Sequence, residues 1–340
     1  MSKNELGQFF TTNYKYILSG MKIPDGIENI IEPFVGNGDL LKFIKNKSKY
    51  NIEIYDIDPK YTNTTKRDTL NNPPDYTDKF VLTNPPYLAR NKSKNKDLYN
   101  KYNCNDLYKC FITNLIKTVC KGGIIIIPLN FISSIRKADV GLRKKFLEKY
   151  SINIINIFEE QVFDDTSYAV CSIYFIKKTE TNQEVIDVNI YPSRKKMKIK
   201  LSHENNFTIG GEIYNLPNNS LYKVERATKK TKGNITNILL KCIDDNINSK
   251  LGFKVVSDDA KFIDNTPKLS ARSYATLVIN KDLSLEQQEK LVEKMNLYLK
   301  NQRDKYNSLF LTNYRESNSI ARKRISFSLA FKICNYILSQ

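Results

Sequence analysis

The sequence predicts an α/β fold: a doubly wound, largely parallel sheet over residues 1–180, followed by a mixed α+β region over residues 181–340. Three observations carry that expectation. Short apolar runs around Ile30, Ile52, Phe80 and Ile124 alternate with stretches of helical spacing, as in βαβ units. The run Ile124 to Ile127 is apolar at every residue, as in strands covered on both faces. From about residue 180 the pattern changes to short alternating segments, broken by Gly, Asn and Pro and interleaved with Lys/Arg clusters.

The elements follow in order. Gly7-Gln8-Phe9-Phe10-Thr11-Thr12 is a compact unit of glycine, aromatics and hydroxyls, suited to lie over a flat ligand. Ile30 to Leu41 reads as a strand, a Gly-x-Gly turn at Gly36 and Gly38, and a helix from about Asp39 to Ile44. The two glycines let backbone approach a ligand closely. The third glycine of the dinucleotide fingerprint is missing, and Glu32 just before the turn suits a cationic group better than a phosphate. Ile52 to Asp58 is an alternating strand ending in acids. Asp56 is expected to accept from ribose hydroxyls, with Asp58 in reserve and Ile57 packing on a purine face. Asp68 could accept from an exocyclic amine while Leu70 packs on the ring.

Phe80-Val81-Leu82 then runs into Thr83-Asn84-Pro85-Pro86-Tyr87. Two successive prolines fix two φ angles and remove two backbone donors, and the residue before each is pushed out of the helical region. The result is a rigid loop at a strand's C-terminal end, the place where open α/β sheets bind ligands. It carries an amide, bare carbonyls and one aromatic ring, a set suited to a planar group bearing an NH2. Taken alone, the motif is equally readable as an ordinary turn.

Beyond it, Leu88 to Lys96 is polar and lysine-rich and is expected to be a mobile loop. Helices are expected over Asp106 to Cys120 and Gly141 to Tyr150, and strands over Ile152 to Phe158 and Tyr168 to Ile176, the last two as an antiparallel hairpin. Phe163 stands in the polar loop between them, either tucked into the core or facing a flipped base opposite Tyr87. In the second region, helices are expected over Leu283 to Tyr306 and Phe327 to Leu338.

Composition narrows the function. Net charge is +18, and residues 181–340 hold 27 Lys/Arg against 16 Asp/Glu, a surplus of +11 that leaves +7 for the first 180. That points to a polyanionic partner, with part of the excess traceable to a Lys-, Asn- and Ile-rich composition. Phosphate contacts are expected from Lys195, Lys196, Lys229, Lys230, Arg322, Lys323 and Arg324. The six cysteines show no CxxC pairing and there is one histidine, His203. No metal site is expected, and Ser–His or Cys–His catalysis is disfavoured. The thiols read as reduced and mostly buried in a cytoplasmic protein. No apolar run has membrane-spanning length.

As an ordered set, Gly7–Thr11, Glu32-x-Phe34-x-Gly36-x-Gly38, Asp56, Asp68, Asn84–Tyr87 and Phe163 resemble the S-adenosylmethionine-dependent DNA adenine-N6 methyltransferases of the gamma arrangement. The resemblance covers residues 1–178, and beyond 180 only position and character. It implies a Rossmann-like methyltransferase sheet and a C-terminal target-recognition domain. It implies that Gly7, Phe9, Phe10, Thr11, Glu32, Phe34, Gly36, Gly38, Asp56, Ile57, Asp68 and Asn84 hold S-adenosylmethionine, with Glu32 near the methionine ammonium. Asn84, Pro85, Pro86 and Tyr87 would be the catalytic loop, with Tyr87 and Phe163 stacking on a flipped adenine. Thr12 stands where the family often has proline, and Asn37 and Asp39 make the glycine loop more polar than usual. The implied partner is double-stranded DNA, bound by a monomer that works beside a cognate restriction endonuclease. Competing readings are an RNA adenine or protein-glutamine methyltransferase, and a non-catalytic DNA-binding protein on the same scaffold.

Overall fold

The computed structural model describes residues 7, 11–163, 168–179, 184–244, 250–265, 273–317 and 320–340, without the side chains of 312–322. Contacts divide the chain into two units: residues 1–132 with 136–200, and residues 133–135 with 201–340.

The first unit is built on a nine-stranded sheet. Its strands are β1 (Asn29–Glu32), β2 (Asn51–Asp56), β3 (Thr65–Lys66), β4 (Phe80–Thr83), β5 (Gly122–Pro128), β6 (Tyr150–Phe158), β7 (Val170–Lys177), β8 (Ile186–Tyr191) and β9 (Lys195–Ile199). They lie in the order β3-β2-β1-β4-β5-β7-β6-β8-β9. From β3 to β5 all neighbours are parallel; β7 is antiparallel to both β5 and β6. Every residue of β4 and β5 is buried, as their apolar runs Phe80–Leu82 and Ile124–Ile127 require. The chain leaves β1 outward to β2 and β3, then returns to β4 on β1's other side. The carboxyl ends of β1 and β4 therefore flank the point where strand order reverses, the ligand crevice of open α/β sheets.

Helices α2 (Asp97–Tyr102) and α3 (Leu107–Lys117) bridge β4 to β5, and α4 (Lys137–Lys149) precedes β6. A single turn, α1 (Tyr14–Ile17), is pinned from below: the Asn156 side-chain amide donates to the Ile17 and Ser19 carbonyls, and the Ser172 hydroxyl donates to Ile17. The helix expected after the glycine turn is one 3₁₀ turn, Leu40–Phe43. Beyond Ile44, its buried and extended C-cap, Lys45-Asn46-Lys47-Ser48-Lys49 carry no apolar face to bury, so nothing rewards a longer helix. Leu88 to Lys96, expected to be mobile, contains a 3₁₀ turn at Arg90–Lys92 and is tied down by the Arg90 and Leu107 amides, which donate to Asn105 and Leu88.

The first unit runs to Lys200, past the change expected near residue 180. Ile186, Val188 and Ile190 alternate as the buried face of β8, which extends the sheet in parallel from β6, and β9 pairs antiparallel with it. The basic character that suggests a boundary belongs to the exposed residues of β9.

The second unit holds a four-stranded antiparallel sheet, β10 (Val224–Arg226), β13 (Tyr274–Ile279), β11 (Ile235–Lys241) and β12 (Gly252–Val255) in spatial order. Its two long helices are α5 (Leu285–Tyr306) and α6 (Phe327–Leu338), with a hairpin of β14 (Thr312–Ser317) and β15 (Ile320–Arg324) between them. Ser284 caps α5 through a reciprocal capping box with Gln287. Ile238, Leu240, Leu277, Met295 and Ile333 lie at the centre of one apolar core. Among the described residues, no helix is long and apolar enough to cross a membrane.

Candidate active site

The Asn84–Tyr87 loop leaves the C-terminal end of β4 beside the end of β1. Thr83, the last residue of β4, donates its hydroxyl to Glu32 Oε1, and the Phe34 amide donates to the same oxygen at 3.0 Å. Glu32 is 1% exposed, and its Oε2 has no hydrogen-bond partner among the described residues. Burial pushes its carboxyl up to about 8, against the pull of those two donors, with nearby Asp56 raising it further.

A cavity of about 230 Å³ opens beside this junction. Phe34, Gly36, Asp56, Ile57, Asp68, Asn84 and Pro86 of the sequence-predicted set line it. Asp56 is buried; its oxygens accept from the Gly36 amide at 2.9 Å and the Asp58 amide at 2.9 Å. That bond holds the glycine turn against the end of β2. Asp68 accepts from the amides of Leu70 and Asn71 and from the Asn71 side chain at 2.6 Å, which fixes its own turn. Ile57 is 39% exposed, unusual for its type, and offers an apolar wall. Leu98, Tyr99 and Leu107, which the sequence did not single out, close the far side. Their signal is weak: Leu98 and Tyr99 fall in α2, where the sequence predicts no element, and Leu107 reads only as part of a core helix.

The N-terminal motif docks on the catalytic loop. Gly7 has φ +65°, and its carbonyl accepts from the Tyr87 amide at 2.9 Å; a Cβ there would stand 2.6 Å from the Tyr87 carbonyl oxygen. Thr11 is buried, and its hydroxyl accepts from the Asn84 side-chain amide at 3.1 Å. Neither residue lines the cavity. Phe9 and Phe10 lie outside the described residues. Gly38 serves packing: at φ +79°, any Cβ would meet the Tyr61 ring at 2.3 Å.

The expected stacking pair is not at the cavity. Tyr87 is 2% exposed, with its ring edge-on to Tyr108 and Tyr168. Its hydroxyl lies in reach of Asn84 Oδ1 and of the Ile126 carbonyl at 2.6 Å. Burial raises the phenol far above its ordinary range, so it stays a donor. Phe163 is 4% exposed and likewise packed inside. Both rings went to the core because each could satisfy its surroundings there, Tyr87 through its hydroxyl.

The expected basic contacts also divide. Lys195 and Lys196 are exposed on β9, in the first unit. Lys229 and Lys230 are exposed after β10. Lys323 is only 6% exposed and donates to the Asn307 carbonyl at 3.2 Å, so it is a structural cation rather than a phosphate contact. Arg324 is half-buried over the Phe327 ring at 5.8 Å. The Arg322 side chain lies outside the described residues. Five of the six cysteines are buried and Cys104 is partly exposed; all are free thiols.

Solved structures with a similar chain path include a methyltransferase subunit of a type I restriction-modification system from Streptococcus thermophilus, at 14% identity over 55% of this chain and 47% of that one, TM-score 0.38. The type IIG restriction endonuclease BpuSI matches at 15% identity over 66% of this chain and 36% of its own, TM-score 0.39. The matched region is therefore half or less of each of those proteins. A search of curated proteins returned no match. The family model described as N-6 DNA methylase matches residues 43–216, just over half of the chain and inclusive of the Asn84–Tyr87 loop. With that loop at the strand-order reversal and a ligand-sized cavity beside it, the chain belongs to the N-6 DNA methylase family.

Proposed function

We propose that the protein transfers a methyl group from S-adenosylmethionine to the N6 amine of an adenine in double-stranded DNA. One observation carries the reading: Asn84, rigidly presented by two prolines at the end of β4, stands on the wall of a cavity that also holds Asp56 and Asp68. The cofactor's chemistry fits the residues present. Ile57 and Leu70 offer apolar walls to a purine, and Asp56 and Asp68 offer acceptors to its ribose and amine. Glu32, buried with one oxygen unpartnered among the described residues, is the natural counter-charge for a cationic amine. When bound, the cofactor supplies an electrophilic methyl group.

The chain's own part is positioning. Adenine N6 is a weak nucleophile because its lone pair is delocalised into the ring. An amide oxygen has two lone pairs, and in this reading Asn84 Oδ1, which Tyr87 holds in place, accepts one amine hydrogen. The Pro85 carbonyl is the second acceptor in this reading. Together they would favour a pyramidal nitrogen whose lone pair points at the methyl donor, and alignment of this kind supplies much of the acceleration. The base must leave the duplex to reach the loop, at a cost of a few kcal/mol. Tyr87 acts as a positioning residue for Asn84, and Tyr87 and Phe163 stack on the base only if the binding of DNA moves them. The setting, on this reading, is restriction-modification, with a cognate endonuclease cutting the same sequence when it is unmethylated.

The test is sequencing of DNA from cells that express the chain, with Asn84→Ala as the control. N6-methyladenine at one sequence context, absent with Asn84→Ala, is the expected result. Cofactor affinity of Asn84→Ala, measured by calorimetry, should stay close to wild type. Methylation at the wild-type level by Asn84→Ala would overturn the assignment.

A further inference from the structure

We propose that the second unit grips the phosphate backbone of duplex DNA on the loop that follows β10, with the adjoining face of α6 meeting the sugars and base edges. This rests on the function proposed above and gives the partner a defined place. Lys229, Lys230 and Lys232 are exposed, and among the described residues no acidic side chain pairs with them. Their loop is held in one shape. The Thr228 amide donates to the Thr231 hydroxyl at 2.8 Å, the Thr231 amide to the Thr228 carbonyl at 3.0 Å, and the Lys230 amide to the Thr228 hydroxyl at 3.3 Å. The Lys229 amide donates to the Asp264 carbonyl at 3.3 Å, which anchors the loop to the segment around Asp264.

The floor beside the loop is aromatic. Phe327 and Phe331, one turn apart on α6, stack with centroids 6.0 Å apart and planes within 5°. Arg226 lies over Phe327 at 5.3 Å and is held there by buried Asp264 at 2.8 Å. Phe327 and Phe331 line one open hollow of about 660 Å³ together with Lys230 and Lys232. Phe331 also lines a second hollow of about 470 Å³, with Tyr222, Lys223 and Lys332. The two hollows share Phe331 and Glu225. Glu225 pairs with Lys223 at 2.9 Å and the Lys332 ammonium donates to the Tyr214 carbonyl at 2.8 Å, so the cationic side chains offered to a polyanion are those of the Lys229–Lys232 loop, beside the half-buried rings.

Charge and spacing select the partner. Four residues of loop span at most ~14 Å, over which one strand of a duplex presents about four phosphates. Because the backbone of the loop is already fixed, only the lysine side chains have to be ordered when they meet such a row. Half-exposed Phe rings match the apolar faces of sugars and bases, and supply the contact that is insensitive to salt.

The experiment uses the full chain and a fluorescein-labelled DNA duplex, with anisotropy titrations at several NaCl concentrations. The K229A/K230A/K232A variant should bind more weakly, and its slope of log affinity against log salt should be smaller by about 3. The corresponding triple Lys→Arg variant should keep the wild-type slope. Phe331→Ala should lose affinity with the slope unchanged. A triple-alanine variant with wild-type affinity and slope overturns this surface while leaving the functional reading intact, provided the wild type methylates DNA. A wild type that neither binds nor methylates the duplex overturns the functional reading itself. Tighter binding of an RNA duplex of the same sequence overturns the choice of DNA.

Discussion

Tyr87 carries a ring and a hydroxyl, and the fold engages both inside the protein. The sequence shows an exposed-looking aromatic after two prolines; it does not show that the Ile126 carbonyl, 39 residues away, waits for its hydroxyl. Tyr87→Phe keeps the ring and removes the donor. Stability should fall by ~1–2 kcal/mol, seen in a thermal melt. Asn84 would lose its support, so kcat for methyl transfer should drop about tenfold, or ~1.4 kcal/mol, with cofactor affinity retained. Glu32 gives a pH signature. Its folded-state carboxyl sits at about 8 against an ordinary 4.5, so between those values the folded protein holds more protons than the unfolded chain. Its contribution to stability is complete below pH 4.5 and is lost as pH rises to 8. Glu32→Gln should flatten that decline in chemical-denaturation curves. A cationic ligand beside Glu32 should drive proton release on binding near pH 7, measured by calorimetry in buffers of differing ionisation enthalpy.

At the scale of elements, what the sequence disclosed was local, and what it hid was pairing across distance. Phe327–Leu338 is the helix its apolar spacing predicts, and β4 leads into the prolines as its apolar run requires. Asp56 closes β2 three residues before Pro59, a residue that a central strand cannot run through. By contrast, Thr11 meets Asn84 across 73 positions, and no periodicity encodes that contact. Lys323 sits inside because of which face of β15 turns inward, a choice that a run of Arg-Lys-Arg cannot reveal. The docking of the N-terminal motif makes a specific prediction. Gly7→Ala places a Cβ 2.6 Å from backbone that cannot yield, at a φ that costs an alanine ~1–2 kcal/mol. Methyl transfer should fall well below wild type, while the unfolding midpoint of the second unit, followed by hydrogen exchange, stays unchanged.

At the scale of the molecule, each unit has its own sheet and its own core. Leu277→Ala, at a position with no exposure in the second unit, should cost ~2–5 kcal/mol. Its effect should appear in DNA binding and in the melt, and cofactor affinity measured below the transition should be untouched. The nine-stranded sheet has one further property. Among the described residues no strand lies beyond β3 or β9, so its two ends are edges that could recruit a strand from another molecule. One end is only two residues long; the other carries Lys195, Lys196 and Lys198 in exposed positions. Short length and lysine are the means by which edges avoid sheet-to-sheet growth. Lysines at 195, 196 and 198 suit that purpose whatever else they contact, and replacing all three by valine should make concentrated protein scatter light before any change in its melting temperature.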